Sequence, residues 1–221
     1  MDWEALGLSL RLAGWVVALL APIGLLLAWL LVFGRFRGRV LLDALVSLPL
    51  VLPPTVLGFY LLVALGPRSP VGRAWEALTG RGLAFSFSGL VVASVLLNIP
   101  FFVQPLASSL GAVDRRLLEA AATLGAGRAG TYLRVALPLS WRGLVAGAIL
   151  SFTHTLGEFG VVLMVGGNLP GQTRTASIAL FDQVQAFDLA GAHRTALVLL
   201  AAAFAVLLAT AFLKQRERPW S

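Results

Sequence analysis

The chain contains no cysteine. Disulfides and thiolate metal sites are therefore excluded, although no compartment follows, because membrane spans need neither. Charge is also scarce: 12% of the 221 residues are Asp, Glu, Lys or Arg, against about 25% in an ordinary soluble domain. No Gly-x-x-x-x-Gly-Lys-Ser/Thr phosphate loop occurs, so the chain has no means of hydrolysing ATP itself. His-Glu-x-x-His and Gly-x-Ser-x-Gly are missing too, which argues against an intramembrane enzyme. No catalytic residue and no metal site is expected. No internal repeat of the kind found in many secondary transporters is visible.

What the chain does have is apolar residues, 58% of the total, and a mean hydropathy of +0.88. This composition belongs to a polytopic helical membrane protein, with length for roughly five or six spans and none left for a separate soluble domain. A net charge of +7 would suggest nucleic acid in a soluble protein. In a membrane protein the excess Arg is orientation information instead, and no nucleic-acid partner is expected.

Apolar runs predict spans over about 12–33, 41–65, 87–110, 137–165 and 196–213. The segment before the first run carries Asp2 and Glu4 against one Arg, and the run exceeds a signal-peptide core, so it reads as a retained span. Pro49, Pro53 and Pro54 predict that the second span is kinked or locally unwound. Asp43 reads as a charge near that helix's N-terminus. Residues 66–82 read as an external loop with a short interfacial helix bearing Trp75. The amphipathic stretch 176–187, with Asp182, Gln183 and Gln185, should lie outside or re-enter rather than span. Arg35, Arg37, Arg39, Arg115, Arg116, Arg128, Arg134, Arg142, Lys214, Arg216 and Arg218 fall on one side of this arrangement. The other side holds the smaller set Arg11, Arg68, Arg73, Arg81, Arg174 and Arg194. The positive-inside rule then places the N-terminus outside, the C-terminus inside, and the loop 111–136 in the cytoplasm.

That loop is the most distinctive stretch. Asp114 is placed to cap a helix, Leu117, Leu118, Ala121, Ala122 and Leu124 keep helical apolar spacing, and Gly125 provides a stop. A second short helix over about 128–136 should end before Pro138. Alone, such a helix–turn–helix is an ordinary amphipathic connector. Its spacing is not ordinary: Glu119-Ala120-Ala121, three residues, Gly125, nine residues, then Val135-x-Leu137-Pro138. This frame resembles the EAA motif of permease subunits in ATP-binding-cassette importers. The resemblance implies a type I importer permease fold in which this loop is the coupling helix that docks into a groove on a cytoplasmic ATPase. Small residues there permit close docking, Glu119 offers a charge to a basic partner group, and Gly125 makes the turn.

The likeness extends over about 41–188. LPLVLPPTVLGFYLL (48–62), LEAAATLGAG, TLGEFG (155–160) and NLPGQTRT (168–175) together resemble the molybdate members of that family. Sulfate, thiosulfate and tungstate permeases are related alternatives, and a channel or secondary transporter is the alternative from another class. The resemblance implies a homodimer of this chain and two ATPase subunits that bind ATP and magnesium. It also implies an extracytoplasmic protein that captures the oxyanion, and a plasma (inner) membrane location.

Within the spans, Glu158 is the one deeply placed acid, with His154 four residues before it on the same helical face. Such a residue is a functional candidate by default. The pair reads either as a gate or as a hydrogen-bonded structural contact. Direct binding of a dianion by Glu158 is disfavoured by like-charge repulsion. No Lys or Arg lies mid-span, so the conduit is expected to bind weakly through hydroxyl and amide groups. Ser47, Thr55, Asn98, Ser108, Ser151 and Thr155 are the candidates, all of which also suit helix packing. Arg174 reads as a solvated loop residue, with contact to substrate or capture protein as the alternative.

Overall fold

The computed structural model describes residues 2–215, and these are helical with no strand among them. Helix α1 runs from Trp3 to Phe33, starting well before the apolar run because Asp2 caps it by accepting from the Ala5 N–H at 2.9 Å. Its buried residues, Leu12, Val16, Leu20, Gly24, Ala28 and Leu31 among them, fall three or four apart and form one stripe. The stripe packs on α5 (Phe87–Gly111), the central helix. In α5 61% of the most apolar window is buried, against 28% in α1 and 17% in α12 (Leu189–Gln215). Small residues bring the helices together at Phe102 of α5. A Cβ on Gly24 of α1 would collide with its ring, and one on Gly147 of α9 (Trp141–Gly157) with its carbonyl oxygen.

The proline-rich second run does more than kink. Helices α2 (Arg39–Val51) and α3 (Pro54–Leu65) meet at 114° across Leu52–Pro53. Pro53 has no N–H to continue the α2 ladder, while its carbonyl accepts from Val56 and Leu57 and starts α3 anew. The run therefore turns sharply back. The loop that follows carries α4 (Pro70–Thr79), which is capped by Ser69 and closed by Gly80 in the left-handed region (φ +68°); Trp75 packs partly buried beneath it.

After α5 come α6 (Arg115–Thr123) and α7 (Arg128–Thr131), neither with a buried residue. The helical path then continues through a π turn, Tyr132–Ala136, into α8 (Leu137–Leu139). Pro138 thus does not end the segment, contrary to expectation. The wide turn sends the Leu137 N–H to the Tyr132 carbonyl, so a residue without an N–H fits at the next position. The break comes at Ser140, where the 128–139 segment meets α9 at 73°.

The run 137–165, expected as one span, is divided again at Glu158–Phe159, after which α10 (Gly160–Gly166) packs against α3 and α5. Helix α11 (Ala176–Gln185) is too short to cross a bilayer, at about 1.5 Å per residue. It buries Ala176, Ile178 and Ala179, and its first N–H is taken by Ser9 Oγ of α1 at 2.8 Å. Among the described residues, α1, α5 and α12 are individually long and apolar enough to cross a membrane. The two bent pairs, α2–α3 and 128–139 with α9, bring the total to as many as five. Arg216 and Arg218 lie outside the described residues.

Candidate functional site

Two groups of the sequence candidates take on definite geometry. The first is the surface of α6. Asp114 Oδ1 accepts from the Arg116 N–H at 2.9 Å, as a capping residue should. At the other end the Ala126 N–H returns to the Ala121 carbonyl and the Gly125 N–H to that of Ala122, with Gly125 at φ +85°. This is the Schellman closure, and it requires a left-handed residue that glycine supplies without a Cβ penalty. Glu119, Ala120 and Gly125 are exposed and Ala121 is half-buried. Leu124 is 89% exposed and Leu117 48%. Helix α6 therefore turns these side chains away from the rest of the chain.

The second half of the motif does a different job. Leu137 packs on the main apolar core, Pro138 is exposed, and both lie in the short helix that leads into the 73° bend. Tyr132 fixes this lever to α1: its hydroxyl donates to the Leu25 carbonyl at 2.8 Å, and its ring meets Phe33 edge-on at 6.1 Å.

The second group is a buried polar cluster between α5 and α9 at the α9–α10 break. Asn98, fully buried, donates from Nδ2 to the Ser94 carbonyl (2.8 Å) and to Thr155 Oγ1 (3.1 Å). Thr155 in turn donates to the Ser151 carbonyl at 2.7 Å. Asn98 Oδ1 lies 3.1 Å from His154 Nδ1, and His154 Nε2 lies 3.9 Å from Glu158 Oε2. Glu158 is 7% exposed and does not sit within a helix, as the apolar run suggested. It ends α9 with extended backbone, and its Oε1 accepts from the Val161 N–H at 2.9 Å, capping α10. The Glu158 carbonyl accepts from Ser177 Oγ of α11. One residue thus ties three helices at the break.

Of the eight pathway candidates, Asn98, Ser151, His154, Thr155 and Glu158 share this neighbourhood. Ser47 lies elsewhere, accepting from Gln104 Nε2 at 2.9 Å across α2 and α5. Thr55 and Ser108 are exposed on α3 and α5. Sequence reasoning missed Gln104, Phe101, which stacks on the His154 ring at 4.0 Å, and Ser177. Gln104 was findable as a second amide in the same apolar run as Asn98; the other two depend on tertiary packing. Arg174 is not simply solvated. Its Nε donates to Asn168 Oδ1 at 2.8 Å and lies 3.6 Å from Asp182, while Asn168 Nδ2 donates to that same carboxylate, pinning the 167–175 loop to α11. Among the described residues no group of three His, Cys, Asp or Glu is placed to hold a metal ion. A separate open cavity of about 920 Å³ is lined by Arg11, Trp75, Arg81 and Gln172, near the ends of α1 and α4.

Residues 21–217 match the family described as "Binding-protein-dependent transport system inner membrane component". The chain belongs to this family: it is a multi-pass inner-membrane transport subunit, not an enzyme. It is 48% identical to the molybdenum transport system permease protein ModB of Azotobacter vinelandii, over 94% of this chain and 92% of that one. It is 38% identical to ModB of Escherichia coli K12, over 98% and 95% of the two chains. The sulfate transport system permease protein CysT of the same strain is 39% identical over 87% of this chain and 69% of its own length. The fold is that of importer permeases. A bacterial alginate ABC importer superposes with a TM-score of 0.78 at 16% identity, over 98% of this chain and 79% of the other. The MetNI methionine ABC transporter gives 0.71 at 16%, over 97% and 93%.

Proposed function

We propose that this chain is the permease subunit of an ATP-driven molybdate importer, moving the oxyanion from an extracytoplasmic capture protein to the cytoplasm by alternating access. The observation that carries this reading is the complete EAA frame on an exposed, Schellman-closed helix joined through α8 to the helix bearing the polar cluster. The near full-length similarity to two ModB proteins supports molybdate as the cargo. The chain would act as a homodimer with two ABC ATPase subunits, which supply the ATP and magnesium sites that its sequence lacks. Ser47, Thr55, Asn98, Ser108, Ser151 and Thr155 remain the path candidates, with His154 and Glu158 as the gate. The N-terminus is outside and α6 in the cytoplasm, following the Arg distribution. Sulfate is the second reading, favoured by the CysT similarity. Uptake of labelled molybdate into proteoliposomes holding the permease, its ATPase and its capture protein tests the proposal. Uptake should require all three and ATP, and tenfold excess sulfate should leave it unchanged. Competition by sulfate at equal concentration would transfer the assignment to the second reading.

A further inference from the structure

The hydrogen bonds around Asn98 determine more than its own position. The Ser94 carbonyl can only accept, so the Asn98 atom facing it is the amide nitrogen, and Oδ1 is the atom that faces His154. Oδ1 can only accept in its turn, so His154 Nδ1 carries a hydrogen. A neutral ring held in that tautomer presents a bare lone pair at Nε2, toward a Glu158 oxygen 3.9 Å away. Phe101 stacks on the ring and keeps it in plane, and Val161 holds the other carboxylate oxygen. A lone pair and an ionised carboxylate facing one another in a buried site repel, whereas a single added proton joins them.

We propose that Asn98 is a positioning residue that locks His154 in its Nδ1–H form, so that His154 and Glu158 hold one exchangeable proton between them, a clasp joining the last turn of α9 to the carboxylate that caps α10. With the proton present, either Glu158 donates to Nε2 or the imidazolium donates to the carboxylate. The two groups draw in from 3.9 Å, which is beyond hydrogen-bond reach. When the proton leaves to water, Nε2 and Oε2 face each other unbridged, and Glu158 stays joined to α10 and α11 through Val161 and Ser177 but loses its link to His154. The His154 side chain is 30% exposed, so this chain alone does not seal the ring. The charged groups on the surrounding elements are placed as follows. Helices α3, α5 and α10 carry no Asp, Glu, Lys, Arg or His. Arg142 is more than three turns away along α9. Asp182 of α11 is engaged by Arg174 and Asn168. Glu4 and Arg11 of α1 line the separate cavity, and on α12 the Arg194 Nε donates to the Ala190 carbonyl at 3.2 Å, with His193 beside it in sequence. The clasp belongs to the gate of the importer reading above, but its proton inventory does not depend on the cargo.

The test is ¹⁵N-histidine NMR of the full chain purified with its ATPase. The chain has two histidines, so a His193→Gln background leaves the His154 signals alone. Across a pH titration the His154 ring should show a neutral Nδ1–H form and a doubly protonated form, never a neutral Nε2–H form. Asn98→Leu should bring out the Nε2–H form. A neutral Nε2–H ring in the unsubstituted protein, or an unaltered tautomer in Asn98→Leu, would overturn the proposal. In ATP-driven uptake, Glu158→Gln replaces the exchangeable proton by a fixed N–H. Uptake should vary with pH as this proton is gained and lost, and the variant should lower the rate roughly tenfold and flatten that variation, with the purified complex intact; an unchanged pH profile would contradict the clasp. The NMR result stands whatever anion is transported, so failure of the molybdate reading is seen separately.

Discussion

At the residue scale, a glycine and a tyrosine set how closely the helices meet and how they are joined. Gly147 lets α9 approach the backbone of Phe102, and a Cβ there meets the carbonyl rather than a movable side chain. Gly147→Val should therefore destabilise the purified protein by about 1–3 kcal/mol, as overpacking does. A thermal denaturation series in detergent would read this as a lowered midpoint, and an unshifted midpoint would mean the helices separate freely. Tyr132→Phe removes a bond to the Leu25 carbonyl with little loss of volume, so about 0.5–1.5 kcal/mol is expected. Because Tyr132 fixes the lever to α1, the same variant should lower uptake per ATP hydrolysed. Equal coupling in both proteins would make the contact purely structural.

At the scale of elements, α6 is the piece whose form and surface disagree most with an ordinary connector. It is capped at both ends by local interactions, yet buries none of its residues. Asp114 and Gly125 made those caps legible in the sequence, since capping depends on residue type a few positions away. The exposure of Leu124 was not legible, because an apolar residue at helical spacing looks the same whether it faces a core or a partner. Leu124→Asp and Glu119→Lys should each weaken retention of the ATPase by at least tenfold, the scale of an interface hot spot. Pull-down of the ATPase on the tagged permease measures this, and full retention in both variants would remove α6 from the interface. Proline content foretold a disturbance in the second run. It did not foretell a 114° reversal, which depends on α3 finding a seat against α10. The break at Glu158 was invisible for a related reason. TLGEFG lies deep inside an apolar run whose proline, Pro138, stands at its start, and the side-chain cap on Val161 exists only once the chain has turned.

Across the whole molecule, the helices form a linkage from one end to the other. From α6 the chain runs through α7, the Tyr132–Ala136 turn and α8 to the Ser140 bend, then along α9 to the polar cluster, which is the route the proposed coupling would take. There Glu158 joins α9, α10 and α11, and the Arg174 bridge extends the connection into the 167–175 loop. The order of apolar runs and the EAA frame were enough to identify the class of machine. How the runs divide into helices depended on side chains closing hydrogen bonds over long sequence separations, such as Asn98 to Thr155 or Tyr132 to Leu25. The central claim is that ATP-driven work enters at α6 and is spent on an oxyanion. It is tested most directly by measuring labelled molybdate uptake and ATP hydrolysis together in proteoliposomes of the complete complex, with and without Glu119→Lys. The account predicts uptake that depends on ATP and capture protein in the unsubstituted complex, and loss of at least nine-tenths of it in the variant. Full uptake with Glu119→Lys, or uptake that proceeds without the ATPase, would contradict it.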